Sequence, residues 1–417
     1  MAAVSAFVEV LCSRKIFLLL LLGFSSGLPL ALTLGTLQAW LAADGVDIRT
    51  IGWFALAGQP YVYKFLWAPF MDRYRLPFLG RRRGWLLVTQ VLLLAGIAWM
   101  GSISPKQDPW LLAAAALLVA FLSASQDIVF DAYRADVLTK DDQGPGAGVS
   151  VAGYRIAMLV SGGLALIIVD EFQLSWSTVY AMMAGLMLVG TAATWFADEP
   201  QAPPRAPRTL AEAVREPLTD YFSRNGAYLF LLVIILYKLG DAFAGSLTTA
   251  FLLRGPGFSL AEVGWANKWL GAVATILGAV AGGALLAKLR LYKALLLFGV
   301  LQAVTNLGYM LLAMAGKNYA LMIGAIAAEN LCGGMGTAAF VALLIALCDK
   351  RFSATQYALL SALASLGRVY VGPVAGALVA TYGWTTFFLL TFVIALPGVA
   401  VLWWQRARIE ALDAAPR

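Results

Sequence analysis

The chain alternates long apolar runs with short polar stretches, and the apolar runs are too long for soluble helices. The first runs from Ile16 through Gly23 to Trp40. Arg14-Lys15 before it gives the look of a signal peptide, but the run continues well past an h-region, so we read an uncleaved first span. Further spans are predicted at roughly 50–71, 84–102, 109–138, 145–169 and 176–197. A polar, proline-rich connection follows, Asp198 to Arg205, leading into Thr209–Arg224, whose charges predict an amphipathic helix on a membrane surface. Six more spans are predicted at roughly 226–253, 260–287, 291–315, 318–348, 354–381 and 384–405. Several of these exceed the ~18 residues that mark a spanning helix. The pattern predicts an all-α membrane protein of twelve transmembrane helices. Its parts are a first half over 1–197, a linker over 198–225 and a second half over 226–417.

Composition agrees and narrows the chemistry. Of 417 residues, 61% are hydrophobic and 13% charged, outside the range of soluble domains. Three scattered cysteines (Cys12, Cys332, Cys348) make neither a disulfide framework nor a metal site. Histidine is absent, so proton chemistry near neutral pH falls to buried carboxylates. No metal or cofactor is expected. The net charge of +7 is spread over loops and not gathered in one patch, which argues against nucleic acid. Twenty of the 30 Lys and Arg fall on the side of the N-terminus, four on the other side (Arg49, Lys106, Arg254, Lys317) and six within spans. By the positive-inside rule both termini are cytoplasmic.

The halves echo each other. Asp47-Ile48-Arg49-Thr50-Ile51-Gly52-Trp53 is matched by Ser259-Leu260-Ala261-Glu262-Val263-Gly264-Trp265 at an offset of 212. Gly27 matches Gly240 and Arg155 matches Arg368, each at 213. A shared offset argues for a duplicated six-helix unit with pseudo-twofold halves, the plan of major facilitator transporters.

The polar groups inside the spans are the candidates for function. In Gln126-Asp127-Ile128-Val129-Phe130-Asp131-Ala132-Tyr133-Arg134, residues 127, 131 and 134 share one helical face. A central charge costs roughly 2.5–3.5 kcal/mol against lipid, so this face should look into the bundle or a watery cavity. If the chain turns at 140–143, Asp127 and Arg155 lie at equal depth, about 18 Å from the turn. They form either a functional ion pair or a structural one joining two helices. Lys238 and Asp241, three apart, could neutralise each other. Intramembrane cations (Lys64, Arg155, Lys238, Lys268, Arg368) outnumber the clearly intramembrane acids (Asp127, Asp241, Glu329). Surplus positive charge suits a cargo bearing carboxylates, which arginine can grip bidentately. Gln59, Tyr61, Gln126, Tyr154, Trp269 and Asn330 sit at depths where amides and aromatic faces could bind sugar, or could simply pack. Gly162-Gly163 and Gly372-Pro373 with Gly376 offer close packing and bending.

Two sets of motifs carry a resemblance. Asp72-Arg73 closing one helix, then Gly80-Arg81-Arg82-Arg83 opening the next, resembles the cytoplasmic loop signature of the major facilitator superfamily, stretched around Pro77; an ordinary positive-inside loop is the alternative. The resemblance implies a charge latch that steadies the outward-facing state. The matching second-half loop, Gly282 to Arg290, lacks the aspartate. More specifically, Gly27-Leu28-Pro29-Leu30-Ala31-Leu32-Thr33 with Gly35-Thr36-Leu37-Gln38-Ala39-Trp40 resembles the first span of AmpG-type muropeptide permeases. So do Lys64-Phe65-Leu66-Trp67-Ala68-Pro69, Met71-Asp72-Arg73-Tyr74, Gly80-Arg81-Arg82-Arg83-Gly84-Trp85 and Ser125-Gln126-Asp127-Ile128-Val129-Phe130-Asp131-Ala132. The resemblance is dense over 23–165 and looser beyond. It implies a monomeric, non-enzymatic transporter in the Gram-negative inner membrane, surrounded by lipid. The cargo would be anhydro-muropeptides, imported on the proton gradient for cell-wall recycling and, indirectly, β-lactamase induction. In that reading Asp127 carries the coupling proton, with Glu329 and Asp241 next in line, and rocking of the halves moves the cargo. The alternatives are a permease for another anionic sugar or peptide conjugate, or a polytopic membrane transferase.

Overall fold

The computed structural model describes residues 13–77, 79–138, 143–200, 219–223, 226–348 and 353–414. These residues are almost wholly helical. Apart from 219–223, the amphipathic helix expected over Thr209–Arg224 lies outside them, as does most of the turn at 140–143.

Among the described residues, ten helices are long and apolar enough to cross a membrane. The last contains two expected spans: the helix Ser353–Trp404 is broken at Gly383, whose φ is +75°. Glycine carries that left-handed turn without a Cβ clash. The expected second span is not one regular helix. It is a run of short pieces, Ile48–Phe54, a 3₁₀ turn Ala55–Gly58, Gln59–Tyr63, a 3₁₀ turn Lys64–Leu66 and Ala68–Arg73. Pro60 and Pro69 stand at helix starts, where a missing N–H does no harm.

In chain order, the remaining elements of the first half are α1 (Arg14–Thr33), α2 (Gly35–Ala43), α3 (Arg81–Ser102), α4 (Pro109–Val137), α5 (Gln143–Leu159), a π-helical segment Val160–Leu164 that holds Gly162-Gly163, α6 (Ala165–Glu171) and α7 (Trp176–Phe196). Those of the second half are α8 (Ala227–Tyr237), α9 (Leu239–Ser246), α10 (Thr248–Arg254), α11 (Leu260–Val263), a π-helical segment Gly264–Leu270, α12 (Gly271–Lys288), α13 (Leu291–Ala315), α14 (Tyr319–Ala346), α15 (Ser353–Trp404) and α16 (Arg406–Ala414). Polar caps set several starts: Ser13 for α1, Ser175 for α7, Asn318 for α14 and a Ser259–Glu262 capping box for α11.

The chain forms two compact units, Met1–Asp44 with Ala57–Ala206, and Gly45–Leu56 with Pro207–Arg417. In the first, α1 lies along α5, and α3 packs on both α4 and α7. Backbone touches backbone on the α1–α5 seam, since a Cβ on Gly23, Gly27 or Gly153 would sit 2.2–2.4 Å from a carbonyl oxygen of the facing helix. In the second, α14 packs on both α12 and α13, and α15 receives α8, α9 and the Ile48–Phe54 helix. That last contact also runs through glycine, with Gly52 against the Gly372 carbonyl and Gly376 against that of Ile48.

The halves repeat their irregularities as well as their residues. The first span breaks at Leu34 (φ −122°, ψ −89°) and the seventh at Leu247 (φ −126°, ψ 9°), which are 213 positions apart. The pieces around Ala55–Gly58 correspond, at the offset of 212, to a π-helical segment over Gly264–Leu270.

Candidate functional site

Each unit holds a polar cluster inside an apolar bundle. In the first, Ser26 on α1 donates to the Asp127 carboxylate on α4. Gly27 makes this region possible: with no Cβ, α1 lets the α5 backbone at Tyr154 come within van der Waals reach. Tyr154 and Tyr61 then lie within electrostatic reach of Asp127, and Lys64 does so from the broken second span. The Tyr61 hydroxyl is buried with no hydrogen-bond partner among the described residues.

One turn further along α4, Asp131 is shared by Arg134 at 3.1 Å and Lys64 at 3.9 Å, and Arg134 also donates to Ser150 on α5. Gln126, next to Asp127, turns the other way. It is 1% exposed, donates to Ser25 at 3.1 Å and leaves its Oε1 without a partner.

The Asp127–Arg155 ion pair expected from equal depth does not form among the described residues. Equal distance from a turn fixes height along two helices but not the rotation of either. Arg155 is exposed on α5, and it reaches Tyr154 electrostatically instead. Gln59 is half-buried on the second span's middle piece.

In the second unit, Lys238 sits at the break between α8 and α9 and pairs with Asp241 at 3.3 Å, as the spacing predicts. Lys238 also donates to Thr337 on α14. One α14 turn pair away, Glu329 accepts from Asn330 at 3.0 Å and from Tyr309 on α13 at 3.4 Å. Asn330 in turn accepts from Thr275 on α12. Asp241 and Lys238 lie within electrostatic reach of Glu329, so four helices, α9, α12, α13 and α14, converge on one acid-rich cluster with a single lysine. Lys268 and Trp269, on the π-helical segment, and Arg368, exposed on α15, do not join it.

The loop between the second and third spans forms a third cluster. Arg82 Nε meets Asp136 at 2.8 Å and Arg81 meets it at 3.8 Å. Glu199 accepts from the backbone N–H groups of Arg82 and Arg83, both at 2.9 Å, and so caps α3. Gly80 has φ +83°, and a Cβ there would lie 2.6 Å from the Glu199 side chain. The side chains of Asp72 and Arg73 lie outside the described residues.

Sequence reasoning missed Ser26, Tyr309, Thr337, Thr275, Asp136 and Glu199. Asp136 closes the very α4 stretch that carries Asp127, and Ser25-Ser26 interrupts an apolar run; both were visible signals. Thr337 gave none, because a lone threonine in a span more often bonds its own helix, as Thr337 also does at Gly333, and Tyr309 gave none because a tyrosine in a span more often simply packs.

The comparisons with known proteins agree with this architecture. A model of the Major Facilitator Superfamily matches residues 19–327. The chain is 55% identical over 406 residues to the anhydromuropeptide permease of Escherichia coli K12, covering 97% of this chain and 82% of that one. Among solved structures it is similar to a bacterial homologue of the human lysosomal transporter Spinster in its inward-facing, unoccupied conformation (TM-score 0.71, 15% identity, 99% of both chains). It is also similar to a D-xylose–proton symporter (TM-score 0.69, 14% identity, 94% of this chain and 97% of that one). At these identities the structures speak to the fold alone.

Proposed function

Because the chain belongs to the major facilitator superfamily, in the family of the anhydromuropeptide permease, we propose that it is a secondary transporter importing anhydro-muropeptides. The end-to-end likeness to that permease carries the reading. The cargo is a sugar–peptide conjugate bearing carboxylates, and span cations suit it, of which Arg155, Lys268 and Arg368 have no carboxylate partner among the described residues. The protein is a permease and not an enzyme in this reading.

Proton coupling is part of the proposal. Asp127 carries the proton in the first unit: its carboxylate accepts from Ser26 and lies within reach of Lys64. Protonation removes the negative charge facing Lys64 and leaves Lys64 with Asp131 or with an incoming cargo carboxylate. Glu329 and Asp241 form the second acidic centre, where Lys238 plays the part of Lys64. Gln59, Tyr61, Gln126, Tyr154, Asn330, Arg155 and Arg368 supply polar and cationic contacts for sugar and peptide. The Lys and Arg asymmetry supports an inner-membrane protein with both termini in the cytoplasm. The Arg81–Arg82–Asp136 cluster with Glu199 then lies on the cytoplasmic face, as a gate latch would.

Uptake of radiolabelled anhydro-muropeptide into proteoliposomes, with and without an inward proton gradient, tests this. Accumulation that depends on the gradient is expected. Uptake that only equilibrates would remove the coupling and keep the cargo, and no uptake by folded protein would overturn the function.

A further inference from the structure

The charged side chains within the spans divide by how they are satisfied. Lys64 and Arg134 share Asp131, and Lys238 pairs with Asp241. Arg155 and Arg368 have no carboxylate partner among the described residues, but both side chains are exposed. Lys268 has neither remedy. It is only part-exposed, makes no ion pair or hydrogen bond among the described residues, and has no charged group within electrostatic reach. Holding an ammonium out of water without a counter-ion costs several kcal/mol, so a chain that keeps one there has a use for it.

A second group points the same way. The next residue, Trp269, has its indole N–H buried with no acceptor among the described residues. An indole N–H is donor-only and when buried normally finds a partner. Both groups stand on the π-helical segment Gly264–Leu270, where hydrogen bonding widens and side chains leave the α-helical register; such segments recur at functional sites. Around them Trp265 lies 5.9 Å from Trp269, and Asn267 reaches only weakly to Thr249, at 3.4 Å. A cation and a lone donor, adjacent and both unanswered, describe a place for a small anion.

We propose that the Lys268 ammonium and the Trp269 indole N–H form an anion subsite that takes a carboxylate of the cargo's peptide. This rests on the transport function proposed above and adds which end of the cargo the second unit grips. The subsite needs no partner from this chain because the cargo brings the counter-ion.

The test pairs protein variants with chemically altered cargo in proteoliposome uptake. The variants are K268Q, W269F, which keeps the ring and removes the N–H, and K268R, which keeps the charge. The cargo is anhydro-muropeptide, either native or with its peptide carboxylates converted to amides. Wild type should lose affinity for amidated cargo, with an apparent KM about tenfold higher or more. K268Q should show a loss of similar size for native cargo and no further loss for amidated cargo, since each removes the same contact. W269F should show a smaller loss confined to native cargo, and K268R should stay within a few-fold of wild type. An unchanged KM for K268Q on native cargo would overturn the subsite and leave Lys268 snorkelling toward the membrane surface. A K268Q defect of equal size for both cargoes would also overturn it, by giving the lysine to the fold or to a lipid headgroup. If wild type takes up neither cargo, the transport function itself fails and the subsite falls with it.

Discussion

Replacing Gly27 by alanine should destabilise the protein, although alanine is the better helix former. A Cβ at Gly27 would stand 2.4 Å from the Tyr154 carbonyl oxygen and 2.9 Å from the Tyr154 Cα. An ordinary contact needs about 3.4 Å, so α1 and α5 must separate by about 1 Å at this point. No rotamer change relieves it, because the obstacle is backbone. Overpacking of this kind costs about 1–3 kcal/mol, against a helix-propensity gain of up to about 1 kcal/mol. The separation also draws α1 away from α5 beside the residue that holds the Ser26 to Asp127 hydrogen bond. Gly185 on α7 is the control, since a Cβ there meets nothing within 4 Å. Thermal unfolding of purified protein in detergent, followed by tryptophan fluorescence, should place G27A a few degrees below wild type and G185A at or above it. Uptake by G27A should fall further than its stability alone explains. If G27A melts with or above G185A, the close α1–α5 seam is not a constraint and the argument for Gly27 is wrong.

Three more outcomes follow from the clusters. D127N should abolish gradient-driven accumulation while sparing exchange of cargo across the membrane; intact active uptake would take the coupling proton away from Asp127. D241N should lower stability by about 2 kcal/mol, less than the 3–5 kcal/mol of a fully buried pair, because Lys238 and Asp241 stay 20% and 23% exposed. Removing both partners as K238M/D241L should recover most of that in the same melting assay, and failure to recover would mean the pair is not what the acid stabilises. E199A should cost about 1 kcal/mol by uncapping α3, visible as faster hydrogen exchange at the Arg82 and Arg83 amides; unchanged exchange there would contradict the cap.

The lengths and boundaries of the spans were legible from hydropathy because lipid imposes one severe rule, an apolar stretch of fixed minimum length. That rule says nothing of helical regularity, so the second span read as one helix although it is a chain of α and 3₁₀ pieces. The Lys238–Asp241 pair was legible because both residues ride one helix, where spacing alone fixes their distance. The Asp127–Arg155 pair was not, since it joined two helices and depth leaves their rotation free. What fixes that rotation is the row of glycines Gly23, Gly27 and Gly153, which sets α1 flat against α5. With that face committed to packing, Asp127 meets the α1 face carrying Ser26, and Arg155 is left exposed.

The offset between halves, first read from a few residues, therefore has a physical content beyond sequence likeness. Leu34 and Leu247 are themselves neither glycine nor proline, and each is flanked by small or hydroxylated residues, Thr33 and Gly35 in one case and Gly245, Ser246 and Thr248 in the other. Both leave the helical region at positions 213 apart. The weak helix formers beside each leucine permit a break there, and like packing in the two halves keeps the breaks in register: an aromatic cluster sits close by in both, Trp40 with Trp176 and Tyr180 in one, Phe251 with Trp384 and Phe388 in the other. The duplicated unit thus repeats bent helices and not merely apolar segments. Ser26, which donates to Asp127, and the Lys238–Asp241 pair lie on the two spans so bent.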